Sequence, residues 1–328
     1  MTWDMLGHHW AAGLLKEHIL QNSPRHAYLF TGPHSVGRRT LALRFAQALD
    51  CPQPKAPGEP CQVCRACQQI EAMQYPDLSV VQSEGLGGTL KVDQIRELGH
   101  TLSLSPYQAN YRVALLLRFE EANLNAANAL LKTLEEPAPQ VILVLTAENE
   151  ERLLPTIVSR CEILRLRPLP LQELERGLQD AWGVPPEQAR LLAHLSGGRP
   201  GYAHKLYHQP ESLDRRTEWL EDLRRLVAAS RVDRFAYSET LSKDKDTLRS
   251  VMHVWLSYWR DVLLRAAGAS NPLTNLDRST EIEELAARLG VEPAQRAVAG
   301  IGRTFDLLDS NANTRLALDV LLLDFPSL

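Results

Sequence analysis

The stretch Gly32-Pro33-His34-Ser35-Val36-Gly37-Arg38-Arg39-Thr40 constrains the fold more than any other. A short apolar run, His26–Phe30, precedes it, and Thr40–Leu49, with helical periodicity, follows it. Strand, glycine loop and helix in that order are the setting in which backbone N–H groups wrap a phosphate. Gly32 and Gly37 are separated by four residues, as such a loop requires. The chemistry does not follow the frame. A working loop continues with a Lys that reaches the β/γ-phosphates and a Ser or Thr whose hydroxyl holds Mg²⁺. Here those places hold Arg38 and Arg39, and Arg39 has no oxygen to give a metal. Sliding the frame by one brings Thr40 to the hydroxyl place but puts Arg38 in the glycine place. The pattern is that of an NTPase scaffold that has lost hydrolysis. The Gly32/Gly37 backbone cradle survives, so binding of ATP without turnover stays open at this level.

Strands alternate with helices up to about residue 166. Leu78–Gln82, Arg112–Leu117, Val141–Thr146 and Glu162–Leu166 read as strands, and Gly85–Gly88 as a turn. Val92–Leu102, Leu124–Leu134 and Arg152–Val158 read as helices. Continuous apolar strands separated by helices imply a mainly parallel sheet with helices on both faces. From Pro168 the strand signal vanishes. Leu171–Ala181, Pro186–Leu195 and Gly201–Tyr207 read as helices punctuated by Gly183 and Gly197-Gly198, and the chain is helical from His208-Gln209-Pro210 onward. Val251–Ala267 carries Trp255, Tyr258, Trp259, Leu263 and Leu264 at helical spacing, a stripe that reads as helix-packing core.

Four of the five cysteines fall in Cys51-x9-Cys61-x2-Cys64-x2-Cys67. Four thiolates close a tetrahedral zinc site with no place left for water, which makes such a site structural. The competing reading, unliganded buried thiols, fits poorly with a proline-rich segment that offers little apolar core. A DNA-reading finger would need more basic residues than Lys55 and Arg65. Composition adds bounds. With 328 residues, 44% of them apolar and 23% charged, the chain has ample length for two or three domains with proper cores. A net charge of −4 neither demands nor forbids nucleic acid. The longest apolar runs are too short to cross a bilayer, and the start lacks the pattern of a secretion signal. A cytoplasmic protein is expected, with no membrane partner.

An NTPase also needs an Asp and a Glu at the end of the strand that follows Arg112, to orient Mg²⁺ and to activate water. Counted back from Asn128-Ala129-Leu130-Leu131, those places hold Leu117 and Arg118. Glu120 and Glu121 serve only if the strand runs longer. Thr146, at the end of the next strand, reads as an ordinary strand-end threonine.

Several motifs occur together and in order: His26–Pro33, the four-cysteine insertion, Asn128–Pro137 with its Leu-Leu-Lys-Thr-Leu-Glu-Glu-Pro, and Leu154-Pro155-Thr156-Ile157-Val158-Ser159-Arg160-Cys161. In this arrangement the chain resembles the bacterial DNA polymerase III clamp-loader subunits of the AAA+ superfamily. Gly197-Gly198-Arg199-Pro200-Gly201 is similar to that family's sensor 2 segment, and Asn311–Leu318 to a segment late in its helical collar. The degraded loop and the length point to the delta-prime type. The resemblance implies an AAA+ module over 1–166 with a zinc module at 51–67, a helical lid over 167–208 and a helical collar over 209–328. It implies that Arg160, within Ser159-Arg160-Cys161, acts in trans on ATP held by a neighbouring subunit. It makes Gly32, Gly37, Arg38, Arg39, Thr40 and Arg199 the degenerate nucleotide site, Arg199 being either a phosphate contact or a lid-to-core tie. The implied partners are gamma/tau-type ATPase subunits, the clamp-opening delta subunit, the sliding clamp and primer-template DNA. Two rivals are an active motor ATPase of the same assembly, with Arg38 standing in for Lys, and a zinc-dependent nucleic-acid-binding regulator.

Overall fold

The computed structural model describes residues 2–84, 88–310 and 312–326. The expected turn at Gly85–Gly88 therefore lies, for Gly85–Gly87, outside the described residues, as does Asn311. The chain divides into two compact units. One comprises Met1–Gly177 with Gly198–Gly201, the other Leu178–Gly197 with Tyr202–Leu328.

Five strands form the sheet of the first unit: β1 (Ala27–Thr31), β2 (Leu78–Val81), β3 (Arg112–Leu116), β4 (Val141–Ala147) and β5 (Glu162–Arg165). All pair in parallel, in the order β2-β3-β4-β1-β5. Their alternation explains the uninterrupted apolar runs. Tyr28, Phe30, Val113, Leu115, Ile142 and Val144 enter one core, shared with α1 (His9–Leu20) and α2 (Arg38–Asp50). Ala27, Leu29, Ala114, Leu116, Leu143 and Leu145 enter the opposite core, shared with α4 (Val92–Leu102), α5 (Leu124–Glu135) and α6 (Pro155–Val158). A sheet covered on both faces has no side that tolerates polar residues. The α/β class with helices on both faces is as expected, and the rest of the described residues form helices without strands. The strand order reverses beside β1, and ligands of open parallel sheets bind at the carboxyl ends of the strands at such a point. The loop after β1 lies there.

The expected single helix Arg152–Val158 is interrupted. A 3₁₀ turn at Glu150–Arg152 and helix α6 are separated by Leu153 and an extended Leu154. Pro155 disfavours helical backbone in the residue before it, which sets the break. The proline-rich cysteine segment also carries regular structure, because α3 (Arg65–Glu71) begins inside it.

In the second unit α7 (Leu171–Trp182, from Leu178 onward), α8 (Pro186–Leu195) and α9 (Pro200–His208, from Tyr202) precede six further helices. These are α10 (Glu211–Ala228), α11 (Arg231–Leu241), α12 (Lys245–Ala266), α13 (Ser279–Leu289), α14 (Val291–Asp309) and α15 (Thr314–Asp324). Trp255 and Trp259 are fully buried and pack against Phe325 with ring centroids 5.7 and 5.8 Å away. The aromatic stripe is thus core, as its spacing implies. Trp255 Nε1 also donates to Trp219 O at 2.8 Å, so its one polar atom is satisfied.

Candidate functional site

Backbone contacts hold the glycine loop in shape. Gly32 (φ 144°) donates its N–H to Glu148 O at 3.2 Å, and a Cβ at this position would lie 2.2 Å from Leu166 O. Only glycine fits there. His8 Nε2 bonds Val36 O at 2.9 Å, and Gly201 N–H donates to Ser35 O at 2.9 Å. Gly198 O accepts from Leu169 N–H at 2.7 Å, so the segment carrying Arg199 is pinned on both sides to the first unit. Gly37 (φ 117°) is the N-cap of α2 and supplies no side-chain cap to it.

Arg38, the first residue of α2, is 7% exposed, whereas Arg39 and Thr40 point to solvent. Neither Arg39 nor Thr40 is therefore placed to line the loop's interior. The Arg38 guanidinium faces Glu120, with 4.0 Å between its NH1 and Oε1. Both side chains are more than nine-tenths buried, and neither Arg38 NH1 nor Glu120 Oε2 has a hydrogen-bond partner. Glu120 Oε1 accepts from Glu148 N–H at 3.1 Å. Burial pulls the Arg38 guanidinium below its ordinary pKa, opposed by the charges of Glu120 and Glu148. Burial pushes the Glu120 carboxyl up, opposed by its own backbone N–H and by Arg38.

The strand β3 stops at Leu116, so it does not run on to Glu120 and Glu121. Leu117 is buried. Arg118 adopts left-handed backbone (φ 51°, ψ 53°) and starts a 3₁₀ turn at Phe119–Glu121. Its N–H donates to Thr146 Oγ1 at 3.0 Å, so Thr146 fastens the end of β4 to this turn. Its side chain donates to Glu121 Oε2 at 2.9 Å and to Ser83 Oγ at 3.1 Å, and Ser83 Oγ also donates to Glu121. The Glu121 carboxylate is thereby engaged by Arg118. Glu120 reaches Arg38 through the turn rather than from the strand, which the sequence reading did not foresee.

The four clustered cysteines converge. Their sulfurs all lie within 4.8 Å of one another, with Cys51–Cys61 at 3.6 Å, Cys61–Cys67 at 3.9 Å and Cys51–Cys64 at 4.0 Å. Tetrahedral zinc with Zn–S bonds of about 2.3 Å requires S···S distances of about 3.8 Å. The set fits a zinc ion. Backbone N–H groups of Cys61, Cys64 and Cys67 point at Cys51, Cys61 and Cys64 Sγ, at 3.5, 3.3 and 3.5 Å. Such donors favour thiolate. Burial raises the Cys61 thiol, but the N–H groups of Cys64 and Val63, with the neighbouring thiols, bring it down to about 6. The module is tied to the chain's start by Trp3 Nε1 donating to Gly58 O at 2.9 Å and by a Lys16–Glu59 ion pair at 2.5 Å.

Arg160 follows α6 and is half-exposed. Its NH1 donates to Thr156 O at 2.8 Å and its NH2 to Glu135 Oε1 at 2.7 Å. Ser159 Oγ donates to the same Thr156 carbonyl at 3.2 Å. Burial alone raises the Cys161 thiol to about 12, which leaves it a neutral packing group.

Residues 7–170 match the family model described as DNA polymerase III, delta subunit, and residues 210–326 match its counterpart for the C terminal. The chain is 39% identical over 207 residues to DNA polymerase III subunit delta' of Pseudomonas aeruginosa, an alignment covering 62% of this chain and 61% of that relative. With subunit delta' of Bacillus subtilis the identity is 30% over 314 residues, 94% of this chain and 93% of the relative. Subunit tau of Bacillus subtilis is 33% identical over 159 residues, 48% of this chain but 28% of tau. Two family models in register with the two halves, and a full-length likeness to a delta' subunit, place the chain in one family: it belongs to the DNA polymerase III delta' subunits.

Proposed function

We propose that this chain is a non-hydrolysing subunit of the clamp loader, contributing Arg160 in trans to an ATP site on a neighbouring gamma/tau-type subunit. The observation that carries the first half is the pair of residues after β3. Leu117 and Arg118 stand where a Mg²⁺-binding Asp and a water-activating Glu are needed, and neither offers a carboxylate. Arg38 in the Lys place and an outward Arg39 in the hydroxyl place agree with it. The second half rests on Arg160. A half-exposed, planar, permanently charged guanidinium suits the charge that spreads over a phosphoryl group in transfer.

The same reading assigns 1–166 to the nucleotide-binding-like module, 167–208 to a lid and 209–328 to a collar. It assigns structural zinc to Cys51, Cys61, Cys64 and Cys67. The partners are the ATPase subunits, the delta subunit, the sliding clamp and, through the assembly, primed DNA. No helix among the described residues is long and apolar enough to cross a membrane, and the cytoplasm is the compartment this role requires.

The test is ATP turnover in two settings. The isolated chain should hydrolyse no faster than a buffer blank. A loader reconstituted from gamma- or tau-type subunits and delta should show DNA-stimulated turnover that rises when this chain is added. Steady turnover by the isolated chain that disappears in Arg38→Ala would instead identify a motor subunit.

A further inference from the structure

The contact between Arg38 and Glu120 has a chemical meaning beyond the loss of hydrolysis. In a phosphate loop, the cation after the second glycine exists to meet an anion. Here that cation is buried, and a buried charge must be compensated within the protein. Glu120 is the carboxylate that faces it. We infer that Glu120 is the resident anion of the loop, standing in for a phosphate opposite Arg38 and keeping oxyanions out of the loop.

Three independent features support this assignment. The N-terminus of α2 has no side-chain cap, so the positive end of a 13-residue helix is open toward the loop. The Arg38 NH1 donor is buried without a partner, which is the signature of a group built to meet an acceptor. Glu120 is fixed to the loop's own frame, because Glu148 donates its N–H to Glu120 Oε1 while its carbonyl accepts from Gly32 N–H. At 4.0 Å, Arg38 and Glu120 compensate each other's charge without a direct hydrogen bond. Glu120 Oε2 is buried without a hydrogen-bond partner, on a carboxylate whose other oxygen faces Arg38. An incoming phosphate would meet that oxygen as a like charge.

The latent ligand class is the small oxyanion: inorganic phosphate, pyrophosphate or the phosphate end of a nucleotide. The inference rests on reading residues 32–40 as a phosphate loop. Removing the carboxylate charge while keeping its shape should restore anion binding. Pyrophosphate without metal is titrated calorimetrically into the wild-type chain, Glu120→Gln, and the double variant Arg38→Ala/Glu120→Gln. The single variant should bind at least about tenfold more tightly than wild type, since one nearby like charge is gone. The double variant should lose that gain. Equal affinity in wild type and Glu120→Gln overturns the inference, and so does a gain that survives in the double variant, because the anion would then sit elsewhere. Glu120→Ala serves as a second carboxylate-free variant.

Urea melts of wild type, Arg38→Ala, Glu120→Gln and the double variant form a separate arm. Each single change strands a buried charge, so the two losses should exceed that of the double variant. A single variant that does not fold while the double variant does is the same result, and strictly additive losses count against the inference. The outcomes also separate this inference from the proposed function. ATP turnover by the wild-type chain refutes the degenerate-loop reading, whereas absent turnover with unchanged pyrophosphate affinity in Glu120→Gln refutes only the resident anion.

Discussion

Arg160 and Glu135 meet at 2.7 Å, joining the turn after α6 to the last residue of α5. A carboxylate at a helix C-terminus sits against the negative end of the helix dipole, and the guanidinium offsets that. The pair is open to water on both sides, with side chains 35% and 51% exposed. Exposed ion pairs contribute at most about 1 kcal/mol to stability. Its effect is directional. With NH1 on Thr156 O and NH2 on Glu135, the guanidinium plane is held by two anchors while one third of the side chain stays accessible.

Purified protein should carry one zinc per chain. Four-thiolate sites in small peptides contribute about 10–16 kcal/mol of apparent binding energy, enough to decide whether such a peptide folds. Here α1, α2 and the sheet keep a core of their own, so chelation should loosen the Cys51–Cys67 segment and leave most helical signal intact. Absence of zinc by metal analysis, or undiminished zinc in a Cys64→Ser/Cys67→Ser variant, would remove the site.

Stability should fall on mild acidification through His8. Burial, its largest influence, holds the imidazole below its ordinary value of 6.5, against the pull of the Val36 carbonyl. The folded state then binds fewer protons than the unfolded chain between those two values. The stability from a neutral His8 is fully present above about 6.5 and is lost as pH falls through the lower, folded value. Melting temperatures measured across that window should drop in the wild type and drop less in His8→Gln. Parallel pH profiles for the two proteins would show that His8 does not titrate as described.

Arg234 should be among the costliest single substitutions in the second unit. Its buried guanidinium donates to Leu322 O at 2.6 Å, Val227 O at 3.1 Å and Phe325 O at 3.2 Å, closing the carboxyl ends of α10 and α15. Arg234→Ala would leave those carbonyls without a donor and should cost about 2–4 kcal/mol in a urea melt. Arg234→Lys should recover little, because an ammonium cannot span the same carbonyls. A loss below about 0.5 kcal/mol for the Ala variant would mean that water replaces the donor.

Most of the sheet was legible because strands buried on both faces leave continuous apolar runs, and Val113–Leu116 or Val141–Leu145 admit no other economical reading. The cysteine cluster was legible because ligand spacing is local. Helix α1 was not. Its buried side chains are Ala11, Ala12 and Leu15, whereas Trp10 and Leu20 are exposed, so apolarity does not mark one face. The Arg38–Glu120 contact was hidden for a different reason. Counting residues put Leu117 and Arg118 in the acidic places, but Glu120 turns back only because Arg118 adopts left-handed backbone, anchored through Thr146. Neither the conformation nor the anchor leaves a mark in spacing.

Arg160→Ala should separate assembly from catalysis. The side chain is half-exposed and its ion pair contributes little, so folding and subunit association should be nearly unchanged. On the proposed reading one ATP site would face this subunit and the others would keep their own arginines, so turnover by the reconstituted loader should fall only in part. At that single site the loss should be large, since trans-acting arginines of GTPases are worth about 10³–10⁵ in rate. Arg160→Lys should rescue poorly, because an ammonium keeps the charge but loses the planar fork. Clamp loading must be measured beside ATPase, as a slowed site can be masked in total turnover. If the Ala variant assembles fully and loads clamps at the wild-type rate, Arg160 does not act in trans. The Glu135–Arg160 pair would then be a surface tie, and the subunit's contribution would reduce to holding its neighbours in place.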